Sequence, residues 1–177
     1  VKKTLSEMTA EVVKNNEEHG WYENCATFPE AMAMLHSEVS EALEAWRKWD
    51  LADVTDTNPL LGKVPKPEGV GSEFADIFIR LLDDAWLFGQ VDLEPVELPA
   101  TATVSRSFPA NINTLHDLIS AVSTGHKSGE LYVLRLSAIL SYLQAMCTAY
   151  GIGLEAEYER KMAYNRTRPY RHGGKAI

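Results

Sequence analysis

EAMAMLHSEVSEALEAWRKW, residues 30–49, is the stretch that decides the fold. Ala, Leu, Met and Glu dominate it, all strong helix formers. Leu35, Val39, Ala42, Leu43 and Trp46 return at the spacing of one apolar helix side, and Glu38 flanks that side instead of lying opposite. Upstream, Thr27 or Pro29 can start the helix. Residues 4–18 set Leu5, Met8, Val12 and Asn15 on one face of an earlier helix, joined to it through His19-Gly20-Trp21-Tyr22. Downstream, residues 50–71 carry Asn58-Pro59, Pro65, Pro67, Gly69 and Gly71, which predicts a loop or flap. Ser72 is then a cap for a helix from Glu73 to about Phe88, stopped by Gly89.

A linker with three prolines covers residues 91–109. Helices are expected again at 110–123, 129–150 and 154–166, with Gly125 and Gly129 marking a turn. Only a short stretch near 101–104 alternates with the period of a strand. The expectation is an all-α bundle of five to six helices in a single domain, 1–177, with a first half 1–90 and a second half 110–177.

The halves resemble each other. Phe28-Pro29, Leu35-His36 and Ser40 return 80 positions later as Phe108-Pro109, Leu115-His116 and Ser120. Five identities in thirteen columns exceed the roughly one that chance supplies and point to a diverged duplication. At this offset Glu38 and Glu41 fall on Leu118 and Ala121; aligning Gly89 with Gly151 puts Glu73 and Asp76 on Arg135 and Ala138. The second half thus keeps a packing role without acids.

Composition narrows the function classes. The chain has 177 residues, 45% of them hydrophobic and 24% charged, which excludes a disordered or fibrous chain. A net charge of -8 argues against a nucleic-acid polymer as partner. The charge is uneven: the first 159 residues hold 11 bases and 25 acids, whereas residues 160–177 hold six bases and no acid. Tyr164, Asn165, Tyr170 and His172 interleave with those cations, as a site for a polyphosphate requires. Cys25 and Cys147 fit neither a disulfide framework nor a zinc site and read as buried thiols in a reducing cytoplasm. Residues 136–154 are uncharged, but Ser137, Ser141, Gln144 and Thr148 form a polar stripe, so no membrane segment is expected. VKKTLSEMTAEVVKNNEE has acids where a signal peptide needs an apolar core.

Glu38 and Glu41 lie three residues apart on one helix, and Glu73 and Asp76 repeat the spacing on the next. If the two helices pack antiparallel, four carboxylates converge, and a hard divalent cation relieves their repulsion. An E-x-x-E pair alone describes a solvated helix face equally well. Asp76, however, sits among Phe74, Ile77, Ile79, Leu81 and Leu82, a poor place for an idle carboxylate.

LHSEVSEALEAWR (35–47), EFADIFIRLLD (73–83) and KMAYNRTRPYRHGGK (161–175) resemble the MazG-like, all-α nucleoside triphosphate pyrophosphohydrolases, a group that shares its fold with dimeric dUTPases and phosphoribosyl-ATP pyrophosphohydrolase. The resemblance covers about residues 15–90 and 155–175. It implies Mg²⁺, with Mn²⁺ as a substitute, held by Glu38, Glu41, Glu73 and Asp76, with Glu38 and Glu41 catalytic. It also implies cleavage of a nucleoside triphosphate to the monophosphate and pyrophosphate. Lys161, Asn165 and Arg168 match the family's K-x-x-x-N-x-x-R phosphate and sugar contacts, and Trp21 lies where related sequences approach the base. A cytoplasmic enzyme follows, either a homodimer or a single chain imitating one. The alternative is a non-catalytic helical regulatory or interaction module that retains the fold.

Two departures stand out. The family often doubles the first acid, as a general base; Ser37 occupies that place, leaving Glu38 or a metal-bound hydroxide for the role. Thirty-one residues, 42–72, separate the acid pairs, more than is usual, making the Pro-rich loop a lid or partner surface. His36 reads as a packed or capping histidine, and Trp46, Trp49 and Trp86 as core or interface. No Ser-His-Asp order, Walker loop or G-x-G-x-x-G is present.

Overall fold

Thr4 opens the first helix with a reciprocal cap: its Oγ1 accepts from Glu7 N at 3.2 Å, and its own N donates to the Glu7 carboxylate at 2.7 Å. In this computed structural model, which describes residues 2–24, 26–57, 64–99, 102–124 and 129–171, that helix (α1) spans Leu5–Glu18. The second (α2, Phe28–Trp49) starts in the same way, Thr27 N donating to Glu30 at 2.7 Å with Pro29 in the first turn. Then come α3 (Val70–Asp84), a π-helical turn (Ala85–Gly89), α4 (Phe108–Ser123), α5 (Glu130–Tyr150) and α6 (Leu154–Asn165). Among the described residues the fold is all-α, six helices with one minor hairpin. Cys25, Asn58-Pro59, Gly125 and the end of the basic tail, with His172, Gly173, Gly174 and Lys175, lie outside the described residues.

Three expectations need correction. The segment 50–71, read as a loop, contains two antiparallel strands, β1 (Val54–Asp56) and β2 (Lys66–Glu68), with Thr55 opposite Pro67. Three-residue strands, one holding a proline, leave no period-two signal; distant side chains hold them. Arg160 on α6 donates to Asp53 at 2.7 Å and to Thr55 at 3.0 Å. Second, α3 begins at Val70, not Glu73, and Gly69 rather than Ser72 is its cap. Gly69 has φ +87°, and a Cβ there would stand 2.8 Å from the carbonyl oxygen of Ala52. Ser72 is buried inside the first turn, where its hydroxyl donates to the Pro67 carbonyl at 2.9 Å. Third, Ala102, Thr103 and Val104 form no strand.

α3 is the central helix, packing against α2, α6, α1 and α5, so most of its side chains are buried. Leu35, Val39 and Ala42 of α2 meet Phe74, Ile77 and Leu81 of α3 in one apolar core that continues through Leu115, Ile119, Leu136 and Leu140. At about 25 cal/mol per Å² of apolar surface, such burial is the main favourable contribution to this fold. α5 is long and apolar enough to cross a membrane by length and composition, and 56% of its most apolar window is buried against the other helices. Cys147 is among those buried groups, its thiol pushed up to about 12 by desolvation.

The two helices whose starts lie 80 positions apart, α2 and α4, pack together. Phe28 and Phe108 are the first residues of α2 and α4, each followed by proline. His36 and His116 face each other across those helices, rings stacked at 5.1 Å and Nδ1 atoms 2.8 Å apart, so His36 is packed and does not cap. Burial holds both imidazoles below their usual pKa. Phe28 packs edge-on against Phe88 in the π-helical turn after α3, and Phe108 packs at a tilt against Tyr150 at the end of α5. Phe88 and Tyr150 are 62 apart, the offset that aligns Gly89 with Gly151. Trp46 stacks on Phe108, Trp49 packs on the core edge, and Trp86 lies 5.3 Å from Tyr22.

Candidate functional site

Antiparallel packing of α2 on α3 brings the two acid pairs to one cleft of about 320 Å³. One carboxylate oxygen each from Glu38, Glu73 and Asp76 falls within 4.8 Å of the others. Glu41, one turn after Glu38, lines the same cleft outside this triad and accepts from the Ser37 hydroxyl at 3.3 Å. The spacing argument therefore brings three acids together and leaves the fourth on the wall. A set of carboxylate oxygens with no sulfur or nitrogen among them suits a hard divalent cation.

The cluster is electrically strained. Burial is the main cause that pushes the Glu73 carboxyl up to about 7; Lys161 opposes it, while Asp76, Glu41 and Glu38 add to it. Asp76 is raised for the same first reason, against the pull of Lys161. Two basic groups offset part of the charge. Arg80 Nε donates to Glu38 at 2.7 Å, and Lys161 Nζ forms an ion pair with Asp76 and donates to Ser72 Oγ at 2.9 Å. Burial works against the charge of Lys161, but Asp76 and Glu73 outweigh it and raise its pKa. Ser72 explains its own burial: its hydroxyl accepts from Lys161 and donates to the hairpin.

The tail residues reach the cleft too. Lys161 and Asn165 lie four apart on α6, and Arg168 follows in the next turn with its guanidinium 5.8 Å from the Tyr164 ring. The backbone after α6 is fixed by His19, whose Nδ1 and Nε2 lie 2.7 and 3.0 Å from the carbonyls of Asn15 and Arg168. That contact makes the His19-Gly20-Trp21-Tyr22 connection a clamp on the tail. Trp21 is half-buried on the same cleft.

Several lining residues were not legible in the motifs. Arg80 follows Asp76 by four residues and so shares its face, a signal present in the sequence and hidden by the apolar run around it. Asp83, one turn further, accepts from the Tyr22 hydroxyl. Burial raises the Asp83 carboxyl, and hydrogen bonds from Tyr22 and Asn16 oppose this. Among the described residues, Asn15 Oδ1 and Asn165 Oδ1 are buried on the cleft without a hydrogen-bond partner, which is costly unless a ligand donates to them. Lys66, from β2, also lines the cleft.

In chemical terms, one end of the cleft offers oxygen ligands and cations, and the other offers amides and aromatic rings. Such a space takes an anion with an attached planar, hydrogen-bonding group. No family model, curated protein or solved structure matches the chain, so the site is read from its own residues.

Proposed function

We propose that the chain is a Mg²⁺-dependent nucleoside triphosphate pyrophosphohydrolase, cleaving between the α- and β-phosphates to release a nucleoside monophosphate and pyrophosphate. One observation carries this reading: a single cleft joins a carboxylate triad to Lys161 and Arg168 and continues to the orphaned amide oxygens of Asn15 and Asn165. The motif resemblance points the same way.

Glu38, Glu73 and Asp76 would hold the cation, with Glu41 on the wall beside them. A bound Mg²⁺ supplies charge for the phosphoryl oxygens and acidity to a water. Glu41, outside the triad, would accept the proton of the attacking water and so take the role left open by Ser37. Arg80, which donates to Glu38 at 2.7 Å, would orient it. Lys161 and Arg168 offset charge gathering on the leaving pyrophosphate. Asn165 Oδ1 can accept from a sugar hydroxyl, and Trp21 with Tyr22 can flank a base. The packing of α2–α3 on α4–α5, with His36 meeting His116, favours one chain acting as a pseudo-dimer with a single acidic centre.

The test is release of pyrophosphate from a panel of canonical, deoxy and uracil-containing triphosphates, with Mg²⁺ and then with EDTA. Pyrophosphate and monophosphate in equal amounts, lost with EDTA, are expected. Triphosphate binding without any turnover would identify the helical regulatory module instead. Release of orthophosphate alone would refute the cleavage site.

A further inference from the structure

We infer that Lys66, on the hairpin that separates the two acid pairs, binds the terminal phosphates of the substrate and lets the site tell a triphosphate from a monophosphate. This rests on the function proposed above and adds a residue that none of the acid or tail motifs includes.

α3 supplies the direction. Glu73, Asp76, Arg80, Asp83 and Leu87 line the cleft in succession. At 1.5 Å per residue, Glu73 and Asp83 stand about 15 Å apart along the helix axis. The Asp83 end holds Tyr22, with Trp86 against it, and Asn16 beside both Tyr22 and Asp83. Rings and amides there suit a nucleoside. The Glu73 end abuts the hairpin, since β2 leads through Gly69 directly into α3. A nucleotide lying along α3 with its nucleoside at Asp83 therefore sends its terminal phosphates toward β2.

The cleft carries four basic side chains, Lys66, Arg80, Lys161 and Arg168. Arg80 is engaged by Glu38 and Lys161 by Asp76, so both are committed to the acid cluster. Arg168 lies within electrostatic reach of Asp76 and Glu38, its carbonyl held by His19, so it sits over the middle of the cleft. Lys66 is the basic group at the hairpin end, and its acidic partner is Glu68, two residues along the same strand and outside the triad. A phosphate can replace that neighbour without stripping the cluster.

The strand is also held where this role needs it. Ser72 Oγ accepts from Lys161 and donates to the carbonyl of Pro67, the residue next to Lys66. One hydroxyl thus sets the spacing of the cleft's two lysines. Gly69 fixes the turn into α3, because a Cβ would collide with Ala52 O.

The experiment measures binding of an α,β-methylene nucleoside triphosphate and of the matching monophosphate, with Mn²⁺ present, to wild type, Lys66→Ala and Lys66→Arg. Melting curves confirm that each variant is folded. The expected result is that Lys66→Ala weakens the triphosphate analogue about ten- to a hundredfold, as for loss of a charged hydrogen bond, and leaves the monophosphate unchanged. Lys66→Arg should restore most of the loss. Equal weakening of both ligands, or none with the triphosphate analogue, overturns the assignment while wild-type binding leaves the proposed function standing. A wild-type protein that binds no triphosphate analogue overturns both.

Discussion

Replacing Arg80 by Met tests the electrostatics of the cleft most directly. Arg80 Nε lies 2.7 Å from a Glu38 oxygen, with 34% of the Arg80 and 11% of the Glu38 side chain exposed. The substitution keeps the stem of the side chain and removes its charge. Glu38 then faces Glu73 and Asp76 with Lys161 as the remaining counter-charge in contact with the triad. Breaking a fully buried pair costs about 3–5 kcal/mol, and the exposure of Arg80 reduces that here to about 2 kcal/mol through solvent screening. For a chain of this length, the melting temperature should fall by about 4–8 °C in EDTA. Adding Mn²⁺ should return most of the loss, since the cation supplies the charge that the guanidinium supplied. Glu38→Gln in the Arg80→Met background should also recover stability, because it removes the carboxylate left unpaired. The assay is thermal unfolding followed by circular dichroism at pH 7. An Arg80→Met protein that melts with wild type in EDTA, or that gains no more from Mn²⁺ than wild type does, would refute the reasoning.

Three further outcomes are expected. Glu41→Gln should keep the helical spectrum and lower pyrophosphate release by roughly 10²–10⁴, the range for an essential acid–base group; a near wild-type rate removes Glu41 from the reaction. Arg168→Ala should weaken triphosphate binding while Mn²⁺ binding without nucleotide stays intact, and loss of both would assign the tail a structural role instead. Asp84 provides a pH signature: burial, reinforced by Asp83 and opposed by Arg80, pushes its carboxyl up to about 8, and its Oδ2 has no partner. An acid whose pKa is raised on folding retains its proton in the native state. Its contribution to stability is therefore greatest near and below the unfolded value of about 4, and declines as pH rises toward 8. Asp84→Asn should change the unfolding free energy little at pH 5 and raise it at pH 9, by on the order of a few kcal/mol; equal gains at both pH values would contradict the burial of that charge.

The helices were legible because their information is local. Periodicity and the Phe-Pro starts place α2 and α4 within two residues of their observed first turns. The triad was legible because two i,i+3 acid pairs on adjacent helices can meet in one way only if those helices pack antiparallel. What escaped depends on partners far along the chain. Ser72 satisfies the local rule for a cap, yet its hydroxyl serves Lys161, 89 positions away. Arg80 reads as an interruption of an apolar face until Glu38, 42 positions earlier, is set beside it. The hairpin owes its place to Arg160 and Ser72, and its own six residues carry no strand signature.

The pseudo-symmetry explains why the chain has an acidic centre in only one half of its described residues. At the offset of 62, Arg80 corresponds to Tyr142 and Phe88 to Tyr150. In the second half Tyr142 donates to Asn111 Oδ1 at 2.9 Å, and Asn111 Nδ2 donates to the Tyr150 hydroxyl. Asn111 Nδ2 also donates to the Ser105 carbonyl, and Ser105 N donates to Asn111 Oδ1. This network is neutral and satisfies itself, as a buried polar group must when no ligand arrives. Its counterpart in the first half is the reverse: carboxylates crowded at Glu38, Glu73 and Asp76, a raised Glu73, and an amide oxygen at Asn15 without a donor among the described residues. Two halves with similar helix starts and similar aromatic corners have arranged their polar groups to opposite ends. The second half closes its network around Asn111 internally and lends rigidity at His116 and Phe108, whereas the first leaves charge and acceptors unspent along α3. That difference, between a satisfied network and an unsatisfied one on matched frames, is the strongest physical reason to place a ligand in the α2–α3 cleft.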